Sequence, residues 1–263
     1  METSPPSSGA PNPLSQDRRA VLIALSVISA LSWGYTVYLS RNMDCAAMCQ
    51  LHFKHRLWTP AEFWMMFVMW VVMMVAMMVP SAVPMILAFA AINRKRREQN
   101  RSFVPTGFFL LGYLIVWAVF SALATVLQGW LHSVSLLSSE MVLVNPALNG
   151  SLLIAAGLFQ WTPFKNACLV HCRSPFDFIM TSWREGPVGA LAMGLQHGTF
   201  CLGCCSLLML LLFVGGVMNI FWIALLTLFV LLEKIAPAGQ RVSRIGGIAL
   251  ILWGIFLLVR TRL

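Results

Sequence analysis

Seven apolar stretches decide what this chain can become. They run from about Ala20 to Leu39, Ala61 to Ala91, Pro105 to Leu131, Pro146 to Trp161, Pro187 to Val214, Ile220 to Leu232 and Ile245 to Val259. A bilayer core of about 30 Å takes about 20 apolar residues as a helix, and most of these stretches reach that length. The fourth and sixth are short. Pro80 and Pro84 should kink the second span, because proline lacks an N–H and its ring crowds the preceding turn. The first span is too long for a signal-peptide core and no small-x-small cleavage site follows it, so it reads as a retained helix. The expected fold class is an all-α, polytopic transmembrane helical bundle of about seven helices.

Composition agrees. Of the 263 residues 59% are hydrophobic and 10% charged, where a soluble domain carries about 25% charge. Residues 1–16, rich in Ser and Pro, read as a disordered tail. No later polar stretch could fold alone, so residues 17–263 read as a single domain. A net charge of +9 would suggest nucleic acid in a soluble protein, but here the Lys and Arg residues fall in loops beside anionic lipid, and no nucleic-acid motif is present. With the N-terminus inside, thirteen of the eighteen Lys and Arg residues lie on the inner side. That bias predicts an inner (cytoplasmic) membrane protein with its N-terminus cytoplasmic and its C-terminus outside.

The chemistry is concentrated between Met193 and Met209. This run carries His197, Cys201, Cys204, Cys205 and the two terminal methionines. At about 100° per residue, Met193, His197, Cys201 and Cys204 share an arc of about 80°, with Cys205 and Met209 on its shoulder. Soft sulfur and imidazole donors suit Cu(I) or Zn(II) rather than Mg or Ca. The structural alternative is a packed helix in which Gly194, Gly198, Gly203 and the cysteines let neighbours approach closely.

Three other groups carry sulfur. In the second span Met66, Met69, Met73 and Met77 share one face, either as core filler or as thioether ligands for Cu(I). In the first outer loop Cys45, Cys49 and His52 sit at helical spacing, and they form either a soft-metal site or a Cys45–Cys49 disulfide. On the inner side Cys168, His171 and Cys172 could receive a metal in the reducing cytosol; otherwise this is a surface turn whose Lys165 and Arg173 face phosphates. Glu233-Lys234 ends the sixth span, where charges snorkel to the interface, the alternative being a salt bridge that locks the bundle.

Several motifs together resemble a family of predicted metal-binding integral membrane proteins, often labelled copper chaperones. They are Ala76-Met77-Met78-x-Pro80, Gly112-Tyr113 with Trp117, and Gln160-x2-Pro163-x-Lys165-x2-Cys168-Leu169-x2-Cys172-Arg173-x-Pro175. Gly194-x2-His197-Gly198-x2-Cys201-x-Gly203-Cys204-Cys205 with Met209, Gly216-Val217-Met218-Asn219 and Glu233-Lys234 complete the set. The resemblance spans about Glu62 to Val259. Members typically carry an aromatic residue after the Cys-Cys pair, where this chain has Ser206, and the Cys45/Cys49/His52 loop is not part of the pattern.

The resulting expectation is a membrane-embedded protein that binds a soft metal, Cu(I) first and zinc second. It would pass the ion by stepwise ligand exchange to a cuproprotein or a membrane complex. Two other classes stand beside it. One is a thiol-disulfide oxidoreductase using Cys201 and Cys204, with Cys205 as resolving thiol. The other is a structural subunit whose sulfur residues only pack. No nucleotide-binding loop is present, so ATP-driven pumping by this chain alone is not expected.

Overall fold

A computed structural model describes residues 13–42, 58–99, 104–138 and 140–260. The described residues fold as an all-α bundle. In chain order the helices are α1 (Pro13–Asn42), α2 (Pro60–Glu98), α3 (Thr106–Ser133), α4 (Pro146–Phe159), α5 (Pro163–Arg173), α6 (Pro175–Ser182), α7 (Gly186–Leu210), α8 (Leu212–Gly215), α9 (Ile220–Ile235) and α10 (Gly239–Arg260). Five segments are long and apolar enough to cross a membrane: α1, α2, α3, α7 continued through α8, and α10. α4 and α9 come from the two short apolar stretches. At 1.5 Å per residue they reach only about 21 and 24 Å.

Local sequence explains where these helices begin. Thr59 and Glu62 form a reciprocal capping box at the start of α2, with Pro60 in the first turn. Thr162 caps α5 in the same way, accepting from the Lys165 N–H with Pro163 just inside. The stretch around Cys168, read from sequence as a metal site or else a surface turn, is therefore a short helix, and it lies against α7. The prolines of α2 have a visible consequence. Pro80 cannot donate to the Ala76 carbonyl, and the Trp33 indole of α1 donates to that oxygen instead, at 3.0 Å.

Small residues let the helices approach. Glycines of α3 and α7 interlock, so that a Cβ on Gly112 would strike the Leu191 carbonyl and one on Gly194 the Phe109 carbonyl. α4 and α10 form a second seam: a Cβ on Gly254 would lie 2.7 Å from the Gly150 carbonyl, and one on Gly157 2.7 Å from that of Gly247. The enclosed core is built from α2, α3 and α7 and is rich in sulfur. Met66, Met69, Met73, Met74, Met77, Met78 and Met85 are buried together with Met193, Cys201, Cys204, Cys205 and Met209.

Candidate metal centre

The centre is built on α7. Gly194 and Gly198 let it pack closely on α3, on the side that also carries Cys201 and Cys205, and His197, Cys201, Cys204 and Cys205 are all buried. The helical spacing seen in the sequence is thus the spacing that buries these donors. Cys204 and Cys205 each donate to the Cys201 carbonyl, at 3.1 and 2.8 Å. Cys205 also lies 4.0 Å from the Met78 thioether of α2. α5 brings a fourth thiol, since Cys172 lies close enough to Cys201 and Cys204 to interact with them electrostatically. Cys168 packs beside Gly203 of α7, with its sulfur 2.7 Å from where a Cβ there would stand. The five cysteines are free thiols.

His197 lies inside a ring of aromatic side chains. The centroids of Tyr113, Phe178 and Phe109 stand 5.6, 5.7 and 6.0 Å from its own. Its Nδ1 is buried without a hydrogen-bond partner. A polar atom stranded in a dry interior costs about 1–3 kcal/mol unless something occupies it. This orphan nitrogen on the thiol-bearing helix is the feature that most suggests a guest.

A cation already sits at the thiols. Lys234, at the end of α9, places its Nζ 2.9 Å from Cys201 Sγ and 3.0 Å from Ser81 Oγ. The Tyr113 hydroxyl completes the shell, 3.1 Å from Cys201 Sγ and 3.1 Å from the Met78 carbonyl. Next to it, Lys165 of α5 donates to Glu233 at 2.7 Å, with side-chain exposures of 0% and 1%. Ser243 of α10 donates to Gln160 at 2.8 Å beside that pair.

These contacts correct two sequence expectations. Glu233 and Lys234 do not snorkel to the interface; both are buried, and Glu233 locks α9 to α5 through Lys165. Lys165 and Arg173 do not face phosphates. Lys165 is paired, and Arg173 donates to the Ala236 and Pro237 carbonyls. The reason is the same in both cases: a charge buried with a partner and hydrogen bonds can remain in an apolar interior, and the partner lay far away in sequence.

The candidate ligands divide. His197, Cys201, Cys204 and Cys205 gather with Cys172, and Met78 joins them although the helical arc had singled out Met77. Met193 is turned toward the Arg184 amide, 3.4 Å away. Met66 meets Gln128 at the far end of α2. Met69, Met73, Met77 and Met209 are buried core residues. His171 faces outward and stacks on Phe200 at 4.4 Å. Cys45, Cys49 and His52 lie outside the described residues. Lys234, Tyr113 and Ser81 were not foreseen as parts of this centre. The adjacent charges Glu233-Lys234 and the Gly112-Tyr113 motif were their sequence signals.

The donor set fits a soft ion, but its arrangement is closed. Among the described residues no three His, Cys, Asp or Glu side chains are disposed as a metal-ion site. The thiols point at one another, at the Cys201 carbonyl and at Lys234. To hold an ion, Cys204 and Cys205 would rotate off that carbonyl and Lys234 would withdraw from Cys201. Such a site could bind a soft cation or activate a thiol.

Comparison with curated proteins and with solved structures finds no match. A family model described as PpoB2, copper chaperone, matches residues 67–257, a span that includes every residue of the closed thiol centre. The chain belongs to the PpoB2 copper-chaperone family.

Proposed function

We propose that this protein holds Cu(I) inside a membrane-embedded bundle and hands it to a cuproprotein or a membrane complex. The orphan Nδ1 of His197, beside Cys201 and Cys204 on one buried helical arc, is the observation that carries the reading. Cys172, Cys205 and the Met78 thioether supply the remaining soft donors. Their chemistry favours Cu(I), with zinc second. The ion would move by ligand exchange, each new donor bonding before the last one leaves. Loop charge supports an N-terminus in the cytoplasm and a C-terminus outside the inner membrane.

Lys234 favours a second reading. An ammonium 2.9 Å from Cys201 Sγ stabilises the thiolate, the form that attacks disulfides. A thiol-disulfide oxidoreductase would use Cys201 in this way, with Cys204, Cys205 or Cys172 resolving the mixed disulfide.

One experiment separates the two. Purified protein is loaded with Cu(I), analysed for bound metal and alkylated with or without a membrane-permeant chelator. The copper reading expects bound Cu(I), fewer equivalents in Cys204→Ser, and thiols that label only after chelation. Labelling that follows added reductant and ignores the chelator would establish the oxidoreductase instead.

A further inference from the structure

At the far end of α2 from the thiol centre lies a second sulfur cluster, built around a buried amide. Gln128 of α3 is 1% exposed. Its Oε1 accepts from the Trp70 indole N–H at 2.6 Å. An indole nitrogen can only donate, which fixes the amide with its NH2 facing away from Trp70. That NH2 meets two thioethers, Met141 Sδ at 2.9 Å and Met66 Sδ at 3.9 Å. Thioether sulfur is a weak acceptor, so this is poor company for a buried amide.

Met141 reaches this place at a backbone cost. It lies in the loop between α3 and α4 with φ +57°, a conformation that L-residues with long side chains rarely adopt. The loop holds it there through its own N–H to the Ser138 carbonyl, Ser138 N–H to the Val142 carbonyl, the Leu137–Leu143 bridge, and Leu143 N–H to the Phe213 carbonyl. Met141 is nevertheless 3% exposed. Burial alone does not require a strained methionine at the tip of a turn, and strain held by its surroundings points toward function.

We propose that Met66 and Met141 form a thioether site for a monovalent soft cation, Cu(I) or its analogue Ag(I), separate from the thiols. Gln128 keeps the two sulfurs facing one space and swings its NH2 aside when the ion arrives. Both donors are neutral, so the ion binds without displacing a proton. Met66 and Met78 are twelve residues apart on α2, about 18 Å along the axis. Buried methionines fill the interval. The site is a receiving or releasing station for the ion held at the thiol centre. In that role it rests on the copper reading, but its binding chemistry does not.

The test uses full-length protein in detergent with 13C-methyl methionine, titrated with Ag(I). Met66→Leu and Met141→Leu assign the two resonances and preserve side-chain volume. The proposal expects both methyls to shift at the same silver equivalents. In Met141→Leu the Met66 response should weaken about tenfold or more, since even outer-shell losses cost a metal site that much. Zn(II) should move neither. If the wild-type methyls stay still while silver binds elsewhere, or if Met66 responds unchanged in Met141→Leu, there is no shared site. Failure of the copper reading has a different signature: thiols that label equally with and without chelator while the methionine shifts persist.

Discussion

Two sulfur clusters share α2 and differ in charge. Near its start, Met66 and Met141 flank the neutral amide of Gln128, and the cluster contains no ionisable group. Near Pro80, Met78 meets the Cys205 thiol and the Tyr113 hydroxyl, Lys234 joins at Cys201, and a buried ion pair lies behind them. The contrast is chemical. Thioethers can take up and release a cation with no proton traffic. Thiols bind more firmly only when they lose a proton, so the groups around them must manage charge in a dry interior. A molecule with both could admit an ion at one place and retain it at the other.

The comparison breaks most sharply at Lys165. Lys165→Met leaves the Glu233 carboxylate buried without its partner, a loss that costs about 3–5 kcal/mol. Unfolding in detergent should show a drop of that order, and the thiols should label faster. The double variant Lys165→Met/Glu233→Leu should recover most of the stability. The Met66 and Met141 methyl resonances should stay in place throughout, because neither Lys165 nor Glu233 contacts that cluster.

A smaller effect is expected from Tyr113→Phe. The hydroxyl bridges the Met78 carbonyl to Cys201, so its loss should cost about 1 kcal/mol. Alkylation kinetics should change at Cys201 more than at Cys168, which lies outside the Tyr113–Lys234 shell. Equal changes at both would mean that the hydroxyl serves the fold in general and not this thiol.

The smallest effect separates neighbours. Met77→Leu and Met78→Leu conserve volume, so each should cost less than about 1.5 kcal/mol. Only Met78→Leu should weaken Cu(I) retention in a chelator competition, because the Met78 sulfur is the one that approaches Cys205. Equal retention in both variants would reduce the methionines of this region to packing.

Much of this was legible in the sequence. Apolar length gave the helices, and a spacing of four and then three residues placed His197, Cys201 and Cys204 on one buried face. The partners of charge were not legible. Lys165 and Glu233 lie 68 residues apart, and local patterns describe what one helix presents, not which helix faces it. For the same reason the helical arc takes in Met77 and leaves out Met78. An arc ranks residues by their shared side and cannot say where the neighbouring thiols stand. Met141 escaped notice because a lone methionine in a short loop has no periodicity, and its left-handed backbone is written only in three dimensions.

The Lys165–Glu233 pair also bears on how the molecule is made. During synthesis the lysine emerges first, and its carboxylate follows 68 residues later. At 5–20 residues per second that interval is on the order of 3–14 s. For that time α5 cannot settle where it finally lies, because an unpaired ammonium there would be expensive. Until then its charge is better left in water. α9 then brings Glu233 for Lys165 and, one residue on, Lys234 for Cys201. A single late helix therefore closes both the ion pair and the thiol centre. A nascent chain cut short before it would keep Lys165 without its carboxylate and Cys201 without its lysine.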